Sequence, residues 1–109
     1  APIYAEIDGN VVNPRIELYI EEQLHQTVEI TTQIQQFEKL IYDTRENQFM
    51  IARQKTDGTI ESLFSLDYIN PANDNVIRIP KNKSCEISLT ANNEVLSARL
   101  TIYPRYKAV

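Results

Sequence analysis

The sequence predicts an all-β fold, an antiparallel β-sandwich or small barrel of about eight to nine short strands, in a single β domain covering residues 1–109. Three observations predict this fold class. Apolar and polar residues alternate along several short segments, β-branched residues are frequent in them, and clusters of Asn, Asp, Gly and Pro separate them. A single sheet of so many strands would leave one apolar face uncovered, so we expect two packed layers.

Length and composition are those of a single-domain globular protein. The chain has 109 residues, of which 42% are hydrophobic and 24% are charged, close to the globular average and far from the composition of disordered chains. The longest apolar runs cover residues 40–42 and 49–52, whereas a membrane helix needs roughly 20 apolar residues. The sequence therefore predicts one packed core and no membrane span.

Turn chemistry marks where the strands end. Both glycines follow an aspartate, in Asp8-Gly9 and Asp57-Gly58, and Asp-Gly is typical of tight hairpins because glycine adopts positive φ without steric cost. We therefore expect a hairpin at each pair, with both glycines in the left-handed region. The predicted strands cover residues 3–7, 15–21, 27–37, 39–44, 48–54, 59–66, 76–79, 84–90 and 94–103.

Alternation along these segments predicts which side chains form the core. Ile16, Leu18 and Ile20 share one face of their strand, with glutamate and tyrosine on the other face. This is the pattern of a strand that buries one side. The same pattern recurs in later segments. The residues predicted to be buried are Ile30, Cys85, Ile87, Leu89, Leu100 and Ile102.

An alternative fold is α+β, with one helix within residues 14–40. Asn13 followed by Pro14 resembles a helix start, and no glycine or further proline interrupts the stretch that follows. Four residues also have helical spacing, Ile30, Ile34, Phe37 and Ile41. The many β-branched residues between Thr27 and Ile34 favour strands instead.

Few residues are suited to catalysis or to binding metals and cofactors. His25 is the only histidine and Cys85 the only cysteine, so sites that need several such ligands are excluded. We expect Cys85 to be a core residue, and His25 to lie in a solvated connection over residues 21–26. The sequence therefore predicts no enzyme, no cofactor and no metal site.

Charge is distributed unevenly along the chain. Residues 1–38 carry seven acidic residues and one basic residue, a net charge of −6, whereas residues 76–109 carry a net charge of +4. This segregation predicts either an intermolecular contact between the two ends or their pairing within one chain. The candidate interaction residues are Glu17, Glu21 and Glu22 at the acidic end, with Arg99, Arg105, Tyr106 and Lys107 at the basic end.

These features favour a non-catalytic structural or interaction domain that forms a homo-oligomer or joins a larger assembly, such as a virion, appendage or secretion machinery. The alternative is a module that binds carbohydrate or peptide with exposed tyrosines. A pI near 4.9 argues against nucleic acid as the partner. The single cysteine forms no internal disulfide, which favours the cytoplasm or a virion over secretion.

Overall fold

The computed structural model describes residues 1–103 and confirms the all-β prediction. Within this range there are ten strands and no helix. The strands are β1 (Ile3–Asp8), β2 (Val11–Val12), β3 (Arg15–Ile20), β4 (Gln23–Glu29), β5 (Gln33–Ile34), β6 (Lys39–Asp43), β7 (Met50–Gln54), β8 (Ile60–Ser62), β9 (Cys85–Thr90) and β10 (Ala98–Ile102). Residues 14–40 thus contain strands β3, β4 and β5 and the first two residues of β6, rather than the helix of the alternative fold.

The strands form three antiparallel sheets. The first sheet has five strands in the order β10-β1-β6-β7-β8, and the second has three in the order β4-β3-β9. Strands β2 and β5 form a small third sheet. The first and last described strands, β1 and β10, are neighbours, so residues 3–7 pair with residues 98–102 within one molecule.

One hydrophobic core draws side chains from all three sheets. Along β1 every second residue is buried, as the alternation of a strand requires. Ile3 and Ile7 of the first sheet, Ile16 and Leu18 of the second, and Ile34 of the third are each fully buried. Two sheets packed over a shared core are consistent with a β-sandwich or small barrel.

Of the two hairpins predicted at Asp-Gly pairs, one is confirmed. Asp57 and Gly58 lie in the turn between β7 and β8, and Gly58 has a φ of 89°. Gly9, in contrast, does not have positive φ, and no hairpin forms there because β2 pairs with β5 instead of turning back onto β1. The prediction for Gly9 was wrong, since pairing with a distant strand decides the path of the chain there.

A hairpin that the sequence did not predict lies at Glu21 and Glu22. Both residues have positive φ, 51° and 69°, and Ile20 pairs directly with Gln23. Positive φ at two central residues is the feature of the tight turn that matches the twist of paired strands. The expected solvated connection over residues 21–26 is therefore wrong, because residues 23–26 belong to β4. His25 is exposed on that strand.

The predicted strand at residues 76–79 is also wrong, because side chains rather than a neighbouring strand hold its backbone. The Gln26 amide donates to the Val76 carbonyl at 3.0 Å and accepts from the Arg78 N–H at 3.1 Å. The Tyr42 hydroxyl donates to the Asn75 carbonyl and accepts from the Ile77 N–H, both at 2.8 Å. Residues 76–79 therefore pack against the core without joining a sheet.

Tyr42→Phe should lower the free energy of unfolding by about 1 to 3 kcal/mol, because it leaves the buried Ile77 N–H without its acceptor. Tyr42 itself is fully buried, and this burial raises the pKa of its hydroxyl. Urea denaturation measures the change. The matched control is Tyr19→Phe, which removes the same hydroxyl from a half-buried tyrosine of β3. Equal losses for the two variants would contradict this role of Tyr42.

Candidate interaction surface: the uncovered edge strand β10

Strand β10 forms one edge of the first sheet, and all five of its residues are exposed. Leu100 has 37% and Ile102 48% of its surface exposed. Among the described strands no other is exposed at every residue. The prediction that these two side chains lie in the core was therefore wrong.

The exposure of β10 follows from the unequal widths of the two main sheets. In the β1–β10 register, Leu100 pairs with Ala5 and Ile102 pairs with Ile3, so these side chains share a face with residues that are fully buried. The second sheet has only three strands to cover five. Strand β10 therefore extends beyond the edge of the second sheet. On the inner face of the first sheet, Leu100 and Ile102 form an exposed apolar strip.

The other four residues that were predicted to be buried are more buried than Leu100 and Ile102. Ile30 is fully buried, as expected. Cys85, Ile87 and Leu89 of β9 lie on the predicted common face and pack against the core, although each is only partly buried. Strand β9 is an edge strand too, but its apolar face is partly covered whereas that of β10 is open.

The backbone of β10 also has a free side. Pairing with β1 uses alternate residues: the Ser97 carbonyl accepts from Asp8 and the Tyr103 N–H donates to Pro2. Because the hydrogen-bonding direction alternates along a strand, Ala98, Leu100 and Ile102 direct their N–H and C=O groups away from β1. Within residues 1–103 no strand occupies that side. Such an edge is a template for pairing with another strand.

An ion pair fixes β10 onto β1. Arg99 pairs with Glu6, with its Nε 3.2 Å from Oε2, and Lys39 Nζ approaches the same oxygen at 3.5 Å. Burial opposes ionisation of Glu6, but hydrogen bonds from Arg99 and Tyr4 outweigh it and hold the pKa of this carboxyl below its usual value. The same hydrogen bond raises the pKa of the Arg99 guanidinium. Both groups remain charged at neutral pH.

A cation–π arrangement holds the end of β10. The Arg45 guanidinium lies 5.3 Å from the ring centre of Tyr4 and 5.0 Å from that of Tyr103. Asp43 orients it through Nε and Nη2, the latter at 2.7 Å. Burial, together with the hydrogen bond to Glu6, raises the pKa of Tyr4 to about 12. The exposed edge is thus supported by ordered contacts on its outer face.

The candidate interaction residues do not form one cluster. Glu17 lies on β3 and accepts a hydrogen bond from Thr90 at 3.2 Å, while Glu21 and Glu22 form the exposed β3–β4 turn of the second sheet. Arg99 lies in the first sheet and pairs with Glu6 of its own chain. The three remaining candidates, Arg105, Tyr106 and Lys107, lie outside the described residues.

The apolar edge itself does not follow from the sequence pattern. Alternation with polar residues predicts a core position for Leu96, Leu100 and Ile102, but alternation does not distinguish a covered face from an uncovered one. Leu96 is 83% exposed.

Two absences within residues 1–103 concern metal sites and membrane-spanning helices. No group of three or more His, Cys, Asp or Glu side chains in this range is placed to hold a metal ion. No helix of the described chain has the length and apolar character needed to cross a membrane. Comparison with known protein families, curated proteins and solved structures gives no match.

Proposed function

We propose that this chain is a non-catalytic structural or interaction domain that assembles with protein through the free edge of β10. The observation that supports this function is that one strand combines an exposed apolar strip with an edge that no other strand of residues 1–103 pairs with. Proteins ordinarily protect such edges with short strands, charges, prolines or covering loops. An exposed edge is also a common route of recognition, in which a second strand extends the sheet.

The other sheet edges are less suited to this role. Strand β8 has only three residues. The edge at β4 is partly occupied, because Gln26 binds the backbone of residues 76 and 78. Strand β9 presents an apolar face that is already packed against the core. Strand β10 therefore provides the best surface for assembly.

Binding of carbohydrate or peptide by exposed tyrosines has less support. Of the five described tyrosines, Tyr42 is buried and the others are half-buried. Tyr4 and Tyr103 contact Arg45, and Tyr68 packs against the core. Tyrosines with these internal partners offer little free ring surface to a ligand.

The solution mass of the protein tests the proposed function. We expect the mass to rise with protein concentration, and to rise at both low and high ionic strength, because the contact is apolar and Arg99 is already paired with Glu6. Sedimentation equilibrium measures this dependence. Leu100→Lys should keep the chain monomeric, since it places a charge in the apolar strip.

The matched control is Leu66→Lys, which adds the same charge at an apolar residue that is 77% exposed and lies outside every strand. This variant should assemble like the unmodified protein. A chain that stays monomeric at every concentration and salt, and that captures no other protein strand, would contradict assembly through β10.

A further inference from the structure

We infer that the strand bound by β10 is β10 of a second copy, paired antiparallel about a two-fold axis at Leu100. This inference rests on the proposed function and names its partner. It joins two five-stranded sheets into one continuous sheet. A two-fold contact uses the same surface on both copies, so it closes at the dimer and leaves neither β10 edge free.

The direction of the backbone groups limits the possible registers. Ala98, Leu100 and Ile102 point their hydrogen-bonding groups outward, as the pairing of the intervening residues with β1 requires. An axis at Leu100 sets Leu100 opposite its own copy and Ala98 opposite Ile102. Every outward-facing group of the strand then pairs with another. A shift by one residue would place the two apolar faces on opposite sides of the sheet.

Side-chain contacts also favour an axis at Leu100 over an axis at Arg99 or Thr101. On the inner face, leucine meets leucine and alanine meets isoleucine, so the two apolar strips merge into one. On the outer face, Arg99 meets Thr101. An axis moved to Arg99 would set two arginines directly opposite each other, which is destabilising. An axis moved to Thr101 would leave Ala98 of each copy opposite no residue of β10.

The charges of the single chain do not oppose this dimer. The protein has a net charge of −4, which opposes association of copies in general. At β10 this repulsion is small, because the strand carries one charged residue, Arg99, and Glu6 neutralises it within the chain. The contact thus depends on backbone hydrogen bonds and apolar burial, which the screening of exposed charges by salt does not weaken.

Disulfide trapping tests the register. In a Cys85→Ser background, Leu100→Cys should give a covalent dimer under mild oxidation, because residues in a hydrogen-bonded pair have Cα atoms about 5.5 Å apart, within the range of a disulfide. Ser97→Cys is the matched control, since this exposed residue lies at the end of the strand. Its two copies would be about 20 Å apart in this register, so it should cross-link far more slowly.

A second pair of variants leaves Leu100 intact. When Ala98→Cys and Ile102→Cys proteins are mixed, the mixed disulfide should exceed both homodimers severalfold, because only unlike residues face each other. A rise of mass with concentration without preferential cross-linking at residue 100, or without excess mixed disulfide, would overturn the self-pairing while preserving the proposed assembly. A chain that remains monomeric in the mass measurement and gives no cross-link would overturn both.

Discussion

Replacing Leu18 with alanine is expected to lower the free energy of unfolding by about 2 to 5 kcal/mol. Leu18 is fully buried on β3, in the core shared by the sheets. Alanine would remove most of its apolar contacts and leave a cavity, because close-packed neighbours relax only partly. Urea or guanidinium denaturation, performed at a concentration where the chain is monomeric, measures the loss.

Leu100→Ala is the control that separates core leucines from the β10 strip. The same atoms are removed, but Leu100 lies at the uncovered edge and its side chain is partly exposed. We expect a loss of about 1 kcal/mol or less in the monomer, since substitutions outside the core have small effects. If Leu100→Ala cost as much as Leu18→Ala, the apolar strip would be part of the core, and β10 would offer no free surface.

Local periodicity is why much of the fold was predictable. In β3 the side chains of Ile16 and Leu18 are fully buried, with their polar neighbours facing outward. Strand β9 likewise directs Cys85, Ile87 and Leu89 toward the core. Alternation between the faces of a strand follows from the pleat itself, so it is determined by residues close together in the sequence.

Pairing over long distances was not predictable in the same way. Strand β2 pairs with β5 rather than with its neighbour β1, and residues 76–79 are held by Gln26 and Tyr42 from other parts of the chain. Such partners are determined by the whole fold. Local signals such as an Asp-Gly pair or a β-branched run do not identify them.

The candidate site likewise combines a feature that the sequence indicated with one that depends on the whole fold. Charge segregation along the sequence suggested that the two chain ends attract each other, and Arg99 does pair with Glu6. This contact lies within one chain, which removes the reason to require it between copies. The exposure of β10 could not be predicted from the sequence. Whether an apolar strand is covered depends on how many strands the facing sheet contains, and no local sequence pattern indicates that number.

Gly9→Ala is expected to lower the free energy of unfolding by about 3 kcal/mol or more, although Gly9 lacks positive φ. A Cβ atom at this position would lie 1.8 Å from the Gln35 carbonyl oxygen. Because the obstacle is backbone, no side-chain rotation relieves the clash. The Gly9 N–H also donates to the Glu38 carbonyl at 2.9 Å, so displacement would break the hydrogen bond that joins the residue after β1 to the residue before β6.

Gly58→Ala is the matched control, because a steric clash requires glycine at position 9 whereas a positive φ favours glycine at position 58. A methyl group on the Gly58 Cα would meet open space, but this residue has a φ of 89°, so alanine should cost about 1 to 2 kcal/mol from backbone strain alone. Urea denaturation of both variants gives the comparison. The β2–β5 pair, with buried Val11 and Ile34, should lose amide-exchange protection in Gly9→Ala and keep it in Gly58→Ala. A smaller loss of stability for Gly9→Ala than for Gly58→Ala would show that the chain does not pass Gln35 so closely.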